Sequence, residues 1–180
     1  SLDIDSAMAQ ITQAAPALTF ITTPNNPTGE SISINDIEKI AQSVPGLLIV
    51  DEAYAEFSDE VSAVTLIAKY PQIVVIRTMS KAFSFAGARV GYLLAHPSVV
   101  EAMMLVRLPY HLSTLTQGAA LVALDFKNEL LSGVAQLRAE RDLVATSLRE
   151  MGLSVLPSQA NFLLFTGFTS SSAQLWQEML

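Results

Sequence analysis

The chain has 180 residues, 51% of them hydrophobic and 15% charged, so it is long enough to bury a sizeable core in one domain or a little more. A formal charge of −7 argues against nucleic acid or an anionic membrane as the main partner, while leaving room for a local phosphate pocket. The absence of cysteine and the spacing of the two histidines exclude disulfide, thiolate and zinc chemistry, so no metal is expected.

In chain order, apolar spacing predicts a helix over Ile4–Ala14 and a short buried strand over Leu18–Thr22. Thr23-Pro-Asn-Asn-Pro-Thr-Gly29 then reads as a turn whose polar side chains lie beyond the strand end. Ser33 and Asp36 resemble a capping box opening a helix to about Val44, with Gly46 after it. Leu47-Leu-Ile-Val50 is a continuous aliphatic run, as in a strand buried on both faces, and ends directly in Asp51-Glu-Ala-Tyr54. A helix is expected around 64–70, a strand over Ile73-Val-Val-Ile76, and a further strand over 90–95.

Three strands thus end in polar clusters, and in open α/β sheets ligands bind beyond the carboxyl ends of the strands. The clusters are expected to converge on one site. After Pro97 the pattern turns helical: 99–108, 114–126, and one long span from about 130 to 151 closed by Gly152. Short strands are expected at 154–156 and 162–165, followed by an amphipathic stretch over 172–180. The fold class is therefore α/β: part of a mostly parallel sheet with flanking helices over 1–127, then a long connecting helix and an incomplete smaller α/β unit over 128–180.

The high apolar content suggests that some surface meets another domain, another subunit or further chain. With no initiator Met and an unfinished pattern at its end, the sequence reads as a fragment. No signal segment and no apolar run of about 18 residues is present, so the cytoplasm is the expected compartment.

Most lysines are solvated surface charges. Lys81, however, follows an aliphatic strand and neighbours Phe83, Phe85 and Ala86, which would desolvate the amine, lower its pKa and make it a nucleophile suited to a Schiff base. Asp51 could be a turn residue, yet a carboxylate behind four aliphatic residues is costly to bury without a cation, such as a protonated pyridine nitrogen. Tyr54 could be packing or a phenol donor. Arg89 with Ser80 and Thr78 could merely be surface, or could form a donor cluster for a phosphate monoester. Asn25 and Asn26 are ordinary turn residues whose place at a strand end makes them candidate ligands.

The motifs Asn25-Asn-Pro-Thr-Gly29, Asp51-Glu-Ala-Tyr54 and Ser80-Lys-Ala-Phe-x-x-Ala-Gly-x-Arg89-x-Gly91 together resemble the class I/II aminotransferases of pyridoxal-phosphate fold type I. Within them, Asp51-Glu-Ala-Tyr-Ala-Glu-Phe57, Arg77-Thr-Met-Ser-Lys-Ala-Phe83, Pro109-Tyr-His-Leu-Ser113 and Ser158-Gln-Ala-Asn-Phe162 look most like the histidinol-phosphate aminotransferases. The resemblance implies pyridoxal 5′-phosphate as cofactor, with Lys81 bonded to it and later shuttling a proton. It implies Asp51 at the pyridine nitrogen, Asn26 and Tyr54 at the ring oxygen, and Ser80 and Arg89, with Thr78 nearby, at the phosphate. Asn161 is implied as a substrate-side residue.

It also implies an amino-phosphate such as histidinol phosphate and a 2-oxo acid, 2-oxoglutarate, as substrates, a role in histidine biosynthesis, and a homodimer. A threonine-phosphate decarboxylase, an aromatic amino acid aminotransferase, and a non-catalytic aminotransferase-like module are the alternatives. The family's upstream phosphate loop and ring-stacking aromatic and its downstream substrate arginine are not in the sequence, and His111 stands where Asn is frequent. The isolated 180 residues are therefore expected to bind the cofactor weakly or not at all and not to transaminate.

Overall fold

The computed structural model describes residues 2–180. Helix α1 (Ile4–Ala14) is capped by the Asp3 side chain, which accepts from the Ser6 N–H at 3.1 Å, and ends at Ala15 in the left-handed region. Strand β1 (Leu18–Thr22) follows, then α2 (Ile34–Ser43), whose N-cap Ser33 accepts from the Asp36 N–H at 3.2 Å. Asp36 does not complete a capping box by reaching back to the backbone; its carboxylate accepts the Ser33 hydroxyl at 2.8 Å.

Strands β2 (Leu47–Asp51), β3 (Ile73–Thr78) and β4 (Gly91–Ala95) complete a four-stranded sheet in the order β1-β2-β3-β4. The first three are parallel and in register at their ends, Thr22 beside Asp51 and Asp51 beside Ile76; β4 returns antiparallel. This register brings three carboxyl ends to one edge of the sheet. Helices α1 and α2 cover one face, where Ile37, Ile40, Leu48, Val50, Ile73 and Val75 form the core.

The helix expected at 64–70 is only a 3₁₀ turn, Ala63–Leu66. Its run of Val64, Thr65 and Ile67 is β-branched and short, too little to offset helix nucleation. After α3 (Pro97–Val106) and α4 (Thr114–Asp125), the single long helix expected over 130–151 is divided into α5 (Lys127–Leu131) and α6 (Gly133–Glu150). At the division the Ser132 hydroxyl bonds the Glu129 carbonyl at 2.6 Å, a side-chain competitor for the helix ladder, and a glycine follows it. Gly152, at φ 85°, ends α6 as expected.

Strands β5 (Ser154–Val155) and β6 (Phe165–Thr166) form a small antiparallel pair, so the strand expected at 162–165 begins only at its last residue. Residues 157–162 instead form a loop that docks on the first unit. Helix α7 (Ser172–Glu178) starts with a complete Ser171–Gln174 capping box. Tyr54, Phe57, Ala82 and Ala160 pack together with Leu131, Val134 and Phe162, joining the strand-end turns of the sheet to the later helices. No helix of the described residues is long and apolar enough to cross a membrane.

Candidate active site

The turn after β1 is held from both sides. The Thr23 N–H donates to the Asp51 carbonyl at 2.9 Å, the Thr23 hydroxyl accepts from the Ile32 N–H at 2.9 Å, and Gly29 N–H closes onto the Asn25 carbonyl at 2.7 Å. Both X-Pro bonds in it, Thr23-Pro24 and Asn26-Pro27, are cis. The exposed Asn26 lies over the neighbouring strand end, where its Nδ2 donates to the Tyr54 hydroxyl at 3.3 Å. Tyr54 is buried, edge-on to Phe162 with 5.1 Å between ring centroids.

Asp51 closes β2 half-buried. One carboxylate oxygen accepts from the Ala53 N–H at 3.0 Å, and the other has no hydrogen bond among the described residues. Lys81 Nζ lies 5.4 Å from the Tyr54 ring centroid and makes no ion pair among the described residues. Asn26, Tyr54 and Lys81 are thus brought together, with Asp51 at the head of the same turn.

Thr78 and Ser80 occupy the next strand end: the Ser80 N–H donates to Thr78 Oγ1 at 3.1 Å, and Thr78 Oγ1 donates to the Val90 carbonyl at 3.4 Å. Arg89 is exposed, in the left-handed region at φ 54°, and its guanidinium turns back to the Ala86 carbonyl at 3.2 Å. Asn161 is exposed on the 157–162 loop, next to the Phe162 that touches Tyr54.

The expected desolvation of Lys81 is not found. Its side chain is exposed, because Phe83 packs away from it with Met79, Val90 and Ala123, and Phe85 joins that same cluster. The aromatic face beside the amine is that of Tyr54.

Two groups escaped the sequence reading. Glu52 is 3% exposed and accepts from Arg77 Nε at 2.9 Å, from the Ser62 hydroxyl at 2.7 Å and from the Ala63 N–H at 2.7 Å. The same guanidinium donates to Glu56 at 3.0 Å and to Ser62 at 3.1 Å. Burial works against the Arg77 charge, but the two carboxylates outweigh it and hold its pKa above the usual arginine value. Tyr92, its register partner on β4, has its phenol pushed up, chiefly by burial. An acid directly after a strand and an arginine near the end of the next was the available signal, readable only once the register is known.

The second group is a latch. Gln159 N–H donates to the Gly29 carbonyl at 2.7 Å, and its side-chain oxygen accepts from the Ser58 hydroxyl and the Asp59 N–H. Gly29, at φ 76°, leaves no room for a side chain: a Cβ there would lie 2.2 Å from Ser158 Oγ.

Chemically, the arrangement offers an unpaired primary amine, a carboxylate oxygen free to meet a cation, a phenol and an amide sharing one hydrogen bond, and hydroxyl, backbone and guanidinium donors suited to an anion. That donor set fits a phosphorylated pyridine aldehyde. Among the described residues no group of three or more His, Cys, Asp or Glu side chains is placed to hold a metal ion.

Comparison with known proteins agrees with this chemistry. The histidinol-phosphate aminotransferase of Rhodococcus opacus is 55% identical over 181 residues, covering 100% of this chain and 47% of its own length. That of Mycobacterium avium is 53% identical over 181 residues, covering 100% of this chain and 45% of its own length. The chain therefore spans about half the length of the curated relatives it matches. The crystal structure of histidinol-phosphate aminotransferase from Sinorhizobium meliloti in complex with pyridoxal-5′-phosphate superposes with a TM-score of 0.83 at 29% identity, covering 91% of this chain and 45% of that one. A sequence profile of the aminotransferase class I and II family matches residues 1–180 in full, and the chain belongs to that family.

Proposed function

We propose that the protein containing this chain is a pyridoxal-phosphate-dependent aminotransferase that moves an amino group between histidinol phosphate and a 2-oxo acid, 2-oxoglutarate, in histidine biosynthesis. The observation that carries the reading is the unpaired Lys81 amine over the Tyr54 ring, with Asn26 on the Tyr54 hydroxyl and Asp51 heading the same turn. The substrate class is supported by relatives above 50% identity that carry that activity in their names.

When bound, the cofactor supplies a ring that withdraws electrons from the carbon carrying the amino group. Lys81 Nζ would hold the cofactor covalently and, once displaced by the substrate amine, would carry the proton from the carbon bearing the amino group to the cofactor carbon it had held, a role open to an amine with no ion-pair partner among the described residues. Asp51 offers its free oxygen to the ring nitrogen and keeps it protonated. Tyr54 and Asn26 hold the ring oxygen. Ser80 and Arg89, with Thr78 shaping the turn, hold the phosphate, and Asn161 lies on the substrate side.

Residues 1–127 are part of the large cofactor domain, and 128–180 are the connecting helix and part of a smaller domain. The full-length protein works as a cytoplasmic homodimer. Residues outside this chain supply the rest of the site, so the isolated 180 residues do not transaminate. The test is the visible absorbance of the full-length protein with cofactor, before and after Lys81→Ala. Loss of the covalent band is expected, and an unchanged band refutes the assignment. Turnover of histidinol phosphate set against threonine phosphate and aromatic amino acids checks the substrate.

A further inference from the structure

We infer that Arg77 is a positioning residue for the cofactor site, acting through the two carboxylates that flank Tyr54. The inference rests on the reading of Asp51 and Tyr54 given above, and it assigns a function to residues that reading leaves unused.

The geometry is that of a clamp. Glu52 lies two residues before Tyr54 and Glu56 two residues after it, and one guanidinium binds both, at 2.7 Å and 3.0 Å. The arginine side chain is 17% exposed and the two acids 3% and 13%, so the contacts are made largely out of water, where charge-assisted bonds hold their geometry. Arg77 also precedes Thr78, and Glu52 follows Asp51, so the clamp fixes the ends of β2 and β3 to each other. The Glu52 N–H donating to the Ile76 carbonyl at 2.9 Å extends the sheet ladder to this point.

Apolar packing alone would not supply this. Phe57 and Phe162 bury the Tyr54 ring, but such contacts are non-directional and tolerate rotation of the turn. The guanidinium has a planar, fixed set of donors, and it engages the turn on both sides of the residue whose hydroxyl must be aimed. The clamp also holds two acids on one base, and Glu56 Oε2 is buried without a partner, so fold stability alone does not account for its composition.

The experiment uses the full-length protein with Arg77→Lys, Glu56→Gln, Tyr54→Phe and the Arg77→Lys/Tyr54→Phe pair. The first readout is the pH midpoint of the bound cofactor's visible band. Arg77→Lys is expected to move it in the direction of Tyr54→Phe by at least about threefold in proton affinity, and the pair to move it less than the sum of the two. The second is amide hydrogen exchange in the cofactor-free protein, expected to rise about tenfold at residues 53–57 and not at Ile40.

An unmoved midpoint with a lowered unfolding temperature makes the clamp merely structural and overturns the inference. Should Arg77→Lys fail to fold, Glu56→Gln, which leaves Arg77 and Glu52 paired, is expected to give a smaller shift of the same sign, and no shift overturns the inference. A covalent band surviving Lys81→Ala would instead sink the reading of the site, while the exchange result still decides whether Arg77 holds the turn.

Discussion

The sheet half of the molecule buries large apolar side chains on one face and the helical half buries almost none, although β1, expected as a buried strand, leaves Leu18 and Phe20 at 52% and 67% exposed. Between α1 and β4 the buried side chains are large: Ile40, Leu48, Ile73 and Val75 are all 0% exposed. From α3 onward the buried apolar residues are Ala123, Ala145 and Ala160, while Leu105, Tyr110 and Leu115 are 87%, 99% and 86% exposed. The accessible surface, 11181 Å², exceeds the roughly 8,500 Å² expected of a compact 19.4 kDa monomer. The first half carries its own core. The second half spends its leucines on faces of the kind that meet further protein.

Substitutions at matched leucines test that contrast, and here the largest effect is expected. Leu48→Ala removes a fully buried side chain between β1 and β3 and should cost about 2–5 kcal/mol in urea unfolding of the full-length protein. In the 180-residue chain Leu115→Ala should stay within about 0.5 kcal/mol, since its side chain already faces water. In the full-length protein the same change should cost at least about 1 kcal/mol, because the face is then covered. Equal, negligible costs for Leu115→Ala in both settings would show that the exposure belongs to the fold itself.

Where the halves meet, the close approach of Gly29 and Ser158 is a second point of attack. Gly29→Ala combines a left-handed backbone with a Cβ 2.7 Å from the Ser158 Cβ, and should cost about 1–3 kcal/mol. Because the Gln159 N–H is bonded to the Gly29 carbonyl, its amide exchange should accelerate in the same variant. Unchanged protection there would mean that the 157–162 loop is held by Arg141, which donates to the Ala160 carbonyl, and not by the turn.

The contrast also sorts what could be read in advance. Continuous aliphatic runs such as 47–50 and 73–76 read as strands because they are short, aliphatic and flanked by turn and polar residues, and the polar clusters that follow them announced Asp51 and Lys81. The break at Ser132 and the 3₁₀ turn at Ala63–Leu66 depend on local competition between side chain and backbone that periodicity does not register. The Glu52–Arg77 pair needs the register of two strands 25 residues apart in sequence. The exposure of Lys81 depends on which wall Phe83 joins, and Phe83 joins the cluster of Ala123 on α4.

The smallest effect is expected at the other link between the halves, the ion pair of Arg138 on α6 with Asp59. Its acid is 76% exposed, and hydrogen bonding by Arg138, followed by its charge, holds the Asp59 pKa below the ordinary value. A carboxylate depressed in the folded state adds stability above its unfolded pKa of about 3.9, and that contribution disappears as pH falls through the folded value. Asp59→Asn should therefore lower the unfolding temperature slightly at pH 7 and not at all once the wild-type carboxylate is protonated. Salt should act the same way, since at about 1 M the screening length shrinks to about 3 Å. The Glu52–Arg77 pair, closed off from water, should ignore that salt. A difference between wild type and Asp59→Asn that survives both low pH and high salt would mean that the junction depends on the hydrogen bonding of the side chain at 59 and not on its charge, since the backbone bond of residue 59 to Gln159 is the same in both.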